Sequence, residues 1–468
     1  RRPLGWVALV GILLSLIVSL GMLSVDTTSI LFDTYRLDAF AKAFKLILLV
    51  GSVLILLLAE SYRPTEGMKE TRGEFYYLFL AALLGAMIMT SSGDLITLFV
   101  GLELVSISSY ILAGIRKHNL QSNESAMKYV VNGSIATAIT LFGMSYLYGL
   151  TGTTNLLQMG TIMGDILDGQ FQYLYGISFF MIFVGLSFKI AAAPFHMWAP
   201  DVYQGAPIPV TAFLSVISKV VGFIILLRII LFLFLDAPGD QFGAFTFTES
   251  NMVYVAVVAG ITMIIGNVVA LRQKNIKRML AYSSIAHAGY LLVAIATLGY
   301  FTNSTVWFYL VAYLFMNLGA FAVIQYVSQQ TTSTEIAAFA GLYKRSPLLA
   351  VAMGIFLLSM AGIPGTAGFI GKLNIFLGAF AVNPGHYVLA SILIGTTFIC
   401  YVCYFGIMTQ MVFRPMYDDV KFAPSRLPVS LCIGIVVCIG GTIGLGVAPD
   451  IAFDFLFDQF GDFDDFLE

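Results

Sequence analysis

Runs of about twenty apolar residues recur along this chain from one end to the other, each long enough to cross a hydrocarbon core of roughly 30 Å. In lipid every backbone polar group needs an internal partner, which leaves only helices and closed barrels. These runs are too long and continuous for barrel strands, so the expected fold class is all-α: a polytopic membrane helical bundle. Composition agrees, with 59% hydrophobic and 11% charged residues against about 25% charged in a soluble domain. The mean hydropathy is +0.90. Spans are expected near 5–23, 40–60, 75–92, 94–114, 127–149, 173–193, 208–235, 252–271, 277–299, 305–327, 347–376, 386–412 and 428–448, about thirteen in all. The connections are too short to hold a soluble domain.

Basic residues in those connections set the orientation. One side holds Arg1, Arg2, Arg63, Lys69, Arg72, Arg116, Lys117, Arg272, Lys274, Lys277, Arg278, Lys344, Arg345, Arg414, Lys421 and Arg426. The other holds only Arg36, amid Asp26, Asp33, Asp165, Asp168, Asp236, Asp240 and Glu249. The positive-inside rule makes the basic side cytoplasmic, or its organellar equivalent. The visible N-terminus is then inside and the acidic tail Asp454 to Glu468 outside.

A formal charge of −2 offers no basic footprint for nucleic acid. No glycine-rich loop follows a strand, so neither a dinucleotide nor a phosphate-loop site is expected. The spacing of Cys400 and Cys403 matches redox and zinc motifs on paper, but both lie in an expected span, as do Cys432 and Cys438. Free cysteines there act as small apolar residues. No histidines and carboxylates stand at metal-ligand spacing, so this chain is expected to hold no cofactor and no metal.

The informative residues are charges inside the apolar runs. A lysine near the bilayer centre costs about 2.5–3.5 kcal/mol and usually faces a wet pocket or a partner charge. Lys189, Lys219 and Lys372 are such residues, and Glu103 is mid-span as well. An unpaired carboxylate there would protonate, so Glu103 is expected to pair with Lys189, each holding the other ionised. His287 is a titrating group in an apolar helix, either a hydrogen-bonded core histidine or a relay member. Arg228 reaches an acidic partner or the interface. Lys42, Lys45 and Lys128, near span ends, are expected to snorkel, and His196 to cap its loop beside Trp198 and Asp201.

Two of the lysines flank helix breaks. Pro194 follows Lys189 closely and should end its helix near Ala193, with Pro200, Pro207 and Pro209 preventing resumption until the next span. Gly362-Ile363-Pro364-Gly365 precedes Lys372. Broken helices at membrane depth line cavities or are buried in protein, and a matched pair of them points to a transporter's ion site. The spans of 75–235 form five helices with the broken one fourth, and those of 252–413 do the same. Five is odd, so the second set enters from the opposite side, as an inverted repeat. Residues 1–74 are N-terminal helices, and 428–468 form a last helix with the acidic tail.

Gly101-Leu102-Glu103, Phe188-Lys189-Ile190 with Ala193-Pro194-Phe195-His196-Met197-Trp198-Ala199-Pro200-Asp201-Val202-Tyr203, and Lys277-Arg278-Met279-Leu280-Ala281-Tyr282-Ser283-Ser284-Ile285 closely resemble the proton-antiporter-like membrane subunits of respiratory complex I. Tyr313 to Phe321 is similar to the subunit N branch of that family, whose mitochondrial counterpart is subunit 2. The resemblance covers nearly the whole chain. It implies fourteen spans, so the visible chain is expected to lack the first. It also implies a proton relay along Glu103, Lys189, Lys219 and Lys372, with His287 linking the last two, coupled to quinone reduction in other subunits. NADH or another donor, FMN, iron–sulfur clusters and quinone are then expected in those subunits. The expected partners are the other membrane subunits and the lipid bilayer, and the expected location is a bacterial plasma membrane, with thylakoid or organellar inner membranes as alternatives. Related assemblies include ferredoxin-fed photosynthetic complexes and multi-subunit sodium/proton antiporters. The second of these gives an alternative function without redox chemistry.

Overall fold

The computed structural model describes residues 3–63, 68–165, 172–235, 237, 246–299, 301–382, 385–415, 426–461 and 463. Arg1, Arg2, Asp168, Asp236, Asp240, Lys421 and the end of the acidic tail, all used in the charge pattern, lie outside them. Helix α1 spans Pro3–Gly21 and a short hairpin follows, β1 (Thr28–Ile30) against β2 (Tyr35–Leu37). Next come α2 (Ala39–Ser61), α3 (Met68–Thr90), α4 (Leu95–Ala113), α5 (Leu120–Thr151), α6 (Leu156–Asp165), α7 (Gln172–Ile190), α8 (Trp198–Gly205) and α9 (Ile208–Ile229). A second series holds α10 (Phe247–Ala270), α11 (Ile276–Thr297), α12 (Thr302–Thr331), α13 (Leu342–Arg345), α14 (Pro347–Ala361), α15 (Ala367–Ala381) and α16 (Tyr387–Phe413). The chain closes with α17 (Val429–Val447) and α18 (Asp450–Phe460).

Among the described residues, twelve helices are long and apolar enough to cross a membrane. The shorter α14 and α15 together occupy the span expected at 347–376. Helix starts are set by side chains that accept from the first-turn N–H groups: Asp38 for α2, Asp94 for α4, Asn119 for α5 and Asn275 for α11. Thr246 and Glu249 form a reciprocal capping box on α10.

The two five-helix sets share a backbone device. Leu95 N donates to Thr154 O at 2.8 Å and Leu156 N to Gly93 O at 2.9 Å, strapping the start of α4 to the segment after α5. Ile276 N donates to Thr334 O at 2.9 Å and Ile336 N to Lys274 O at 2.8 Å, strapping the start of α11 to the segment after α12. In each set this joins the second helix to the end of the third, with an isolated antiparallel bridge at Asp94–Asn155 and at Asn275–Glu335. The broken helix is the fourth in both.

Interior position falls to α2, α9, α11 and α12, whose apolar stretches are 83–94% buried. Helices α1, α5, α16 and α17 form the perimeter, 22–39% buried. Their outward side chains are apolar, as lipid contact requires: Val7, Leu14 and Ile17 on α1, and Val402 and Phe398 on α16.

Three local expectations are corrected. The helix after Pro194 resumes at Trp198 as α8 instead of waiting for the next span, because Pro200 falls in its first turn, where an N–H would lack a partner anyway. Pro207 and Pro209 likewise sit at the start of α9. Lys42 and Lys45 do not snorkel. Both are buried, Lys42 donating to Val25 O and Lys45 to Tyr35 OH at 2.6 Å and Ser91 Oγ at 2.5 Å. Lys128 does stay partly exposed, but it is held in ion pairs with Glu124 and Asp201.

Candidate functional site

The first break is built by satisfying its own backbone. Helix α7 ends at Ile190, earlier than Ala193, where Ala191 turns into the left-handed region at φ +58°. Ala192 N donates to Ser187 O at 2.8 Å, and Ala193 N donates to Thr262 Oγ1 on α10 at 2.9 Å. Trp198 Nε1 donates to Phe188 O at 3.0 Å, supplying one of the carbonyls freed at the end of α7, and Tyr129 stacks on its indole at 4.4 Å. Lys189 therefore sits in a last helical turn, where the helix dipole favours a cation.

The second break follows the same logic with glycine. Gly362 ends α14 at φ +85°. A Cβ there would also come within 3.0 Å of the Lys372 side chain, so glycine serves both the turn and the lysine. Lys372 Nζ, reaching back from α15, donates at 3.0 Å to both Met360 O and Ala361 O, the final carbonyls of α14. Its remaining neighbours are the Tyr290 ring, 4.7 Å away, and Cys400 Sγ at 3.8 Å. Both lysines thus belong to the C-terminal end of the first half of a broken helix, Lys189 as a residue of its last turn and Lys372 by reaching back to its final carbonyls.

Between them lies the interior pair α9 and α11. Lys219 of α9 donates to the carbonyl and the hydroxyl of Ser284 on α11, and its Nζ stands 5.1 Å from the Tyr313 ring centre. Tyr203 of α8 shares a hydrogen bond of 3.2 Å with the same Ser284 hydroxyl. One turn along α11, His287 Nδ1 bonds Tyr309 OH at 2.6 Å. Lys189, Lys219, His287 and Lys372 are all buried.

Glu103 departs from expectation. Among the described residues it forms no ion pair with Lys189. Its carboxylate accepts from Thr137 Oγ1 at 2.9 Å, while Lys189 Nζ donates to Ser106 Oγ at 3.0 Å, one turn along the same helix. Each charge is held by its own hydroxyl, and Glu103 remains half-buried. Arg228 does find an acid: its fully buried guanidinium meets Asp38 at 2.7 Å and donates to Ser92 O at 2.7 Å. Arg36, the exception to the charge asymmetry, lies 3.7 Å from the same carboxylate.

On the basic side, Asp201 of α8 joins the two helical sets, bonding Lys128 of α5 at 2.6 Å and Arg278 of α11 at 2.5 Å. Partial burial opposes its ionisation, but these two partners outweigh that and hold its carboxyl below its ordinary value. Arg116 and Lys277 donate to the next carbonyls, Gly205 O at 2.6 Å and Ala206 O at 2.7 Å, so four cations hold the end of this broken helix.

Sequence reasoning missed Ser106, Thr137, Ser284, Tyr309 and Tyr313, whose polar atoms hide in apolar runs. A signal was there: Glu103 stands as far beyond its helix cap, Asp94, as Ser284 stands beyond Asn275, and Ser106 and His287 correspond in the same way. Among the described residues no three His, Cys, Asp or Glu side chains gather as metal ligands.

A membrane bundle of two matched sets, each broken at its fourth helix beside a buried lysine, is the architecture of a proton-antiporter-type subunit. Residues 92–399 match the transmembrane family described as NADH:quinone oxidoreductase/Mrp antiporter, and the chain belongs to it. Within it the chain is 60% identical to NADH-quinone oxidoreductase subunit N of Geobacillus sp. (strain WCH70), over 97% of this chain and 92% of that protein. It therefore belongs to the subunit N branch. A chain of respiratory complex I from Thermus thermophilus superposes with a TM-score of 0.79 at 30% identity, covering 97% of this chain and 94% of that one. A chain of the Mrp complex from Dietzia sp. DQ12-45-1b shares the fold, with a TM-score of 0.82 at 19% identity over 100% and 95% of the two chains. The chain is an integral, multi-pass membrane protein of bacterial type.

Proposed function

We infer that this chain is a proton-translocating membrane subunit of NADH-quinone oxidoreductase, moving protons along Glu103, Lys189, Lys219, His287 and Lys372 in response to quinone reduction elsewhere in the complex. One observation carries the reading. Four buried titratable side chains run from the first broken helix through the interior to the second, and each lysine is held by hydroxyls or carbonyls instead of a carboxylate within ion-pair distance. Groups so held can lose a proton without stranding a partner's charge, as a relay member must. The two functional units are residues 75–235 and 252–413, flanked by 1–74 and 428–468. NADH or another donor, FMN, iron–sulfur clusters and quinone belong to other subunits, and this chain's own partners are neighbouring membrane subunits and lipid.

The test is proton translocation per quinone reduced in membrane vesicles. Lys189→Ala should leave the complex assembled but lose most coupled pumping. Lys189→Arg should fail too, because a guanidinium does not deprotonate in proteins. Normal pumping in both would remove Lys189 from the pathway, and pumping that needs sodium but no quinone would favour the antiporter reading.

A further inference from the structure

His287 has two ring nitrogens, and the bond made by one fixes the task of the other. Its Nδ1 is committed to Tyr309 OH at 2.6 Å. Tyr309 is fully buried on α12, one turn before Tyr313, whose ring lies between Lys219 and His287 at 5.1 Å and 5.2 Å. The Tyr309 ring also rests on Gly371, the residue before Lys372, where a Cβ would come within 2.7 Å of it. One phenol thus touches the imidazole on one side and the second broken helix on the other.

We propose that Tyr309 is the positioning residue for His287: its oxygen accepts from Nδ1–H, leaving the Nε2 lone pair as the site that takes up and releases the transported proton. The inference rests on the relay reading of His287 and adds to it a tautomer and the residue that selects it. A proton arriving at Nε2 gives an imidazolium that keeps its Nδ1–H bond to the phenol, now charge-assisted and stronger. Release from Nε2 restores the starting tautomer, so the phenol neither gains nor loses a proton over the cycle. Gly371 lets α15 approach closely enough to hold the ring, which makes the His287 orientation depend on the position of the helix that carries Lys372.

The titratable groups that face the imidazole are the rings of Tyr290 on its own helix and of Tyr309 and Tyr313 from α12, with the charges of Lys219 from α9 and Lys372 from α15 acting on it from further away. None of the other four takes the 2.6 Å bond, so Tyr309→Phe removes it while keeping the ring. In the intact complex this variant should reduce the coupled rate about two- to tenfold, the worth of one hydrogen bond. It should leave the KM for quinone unchanged and displace the pH profile of translocation by about half to one unit. In a His287→Gln background the same substitution should change nothing further. Gly371→Ala, which pushes the ring off the helix, should reproduce the defect, and it decides the matter if Tyr309→Phe does not assemble. A normal rate and pH profile in the assembled variant, or an additive loss in the His287→Gln background, would overturn the assignment. Failure of the relay reading looks different: His287→Gln itself would then pump normally.

Discussion

Replacing Lys372 with methionine separates transport from structure. Two 3.0 Å bonds to Met360 O and Ala361 O disappear; Ala361 O keeps a weak donor in Cys400 Sγ at 3.8 Å, and a buried carbonyl left without a partner, as at Met360, costs about 1–3 kcal/mol. Against this, an ammonium no longer has to be held at membrane depth, which recovers about 2.5–3.5 kcal/mol. Methionine fills similar volume and suits the contact with the Tyr290 ring. The opposing effects leave a net change of at most a few kcal/mol, which an interior as buried as α9, α11 and α12 can absorb. A thioether carries no proton, however, so coupling should be lost. The assay is protons translocated per quinone reduced in vesicles, alongside the amount of intact complex. A full ratio in Lys372→Met would show that the pathway avoids the second broken helix. Activity falling only in proportion to the complex recovered would mean that the lysine is structural.

Asp38 should behave in the opposite way. Asp38→Asn removes the charge that faces Arg228, both side chains being wholly buried, and should cost about 3–5 kcal/mol and most of the assembled complex; Asp38→Asn with Arg228→Met, which keeps a side-chain cap on α2, should recover much of it, as measured by complex content after extraction. For topology, a cysteine at Lys274 should react only with a reagent applied from the cytoplasmic side and one at Asp240 only from the outside; labelling of both from one face would refute the inverted arrangement.

Much of this fold was legible because lipid restricts the choices. Apolar length located the helices, and Pro194 and the run Gly362-Ile363-Pro364-Gly365 located the breaks, since proline removes a donor from the ladder and glycine favours the turn beside it. What escaped reading was non-local. Lys45 resembles any lysine near a helix start until the hairpin brings Tyr35 beside it. Pro200 reads as a breaker unless the start of α8 is known. Glu103 and Lys189 are an obvious pair by charge, but the neutral hydroxyls of Ser106 and Thr137 that hold them instead lie in stretches where serine and threonine look like packing. Tyr309 and Tyr313 are likewise indistinguishable from core aromatics in sequence.

The matched straps give the two sets one frame, and the difference within that frame bears on direction. Where the first set carries Glu103, the second carries Ser284; where the first carries Ser106, the second carries His287. Lys189 thus has a carboxylate one helical turn from its hydroxyl partner. Lys219 and Lys372 rest on carbonyls whose dipoles are fixed and do not titrate. On the relay reading, only the first set can trade a hydroxyl contact for an ion pair, because the second offers no carboxylate in that position. Among the described residues no carboxylate pairs with Lys219 or Lys372, and a positive charge on one member disfavours a positive charge on the next. Forming the Glu103–Lys189 pair would hold its charge at the first broken helix, and opening it would send repulsion down the line towards Lys372. The asymmetry between two otherwise matched halves is what would turn a symmetric bundle into a one-way path.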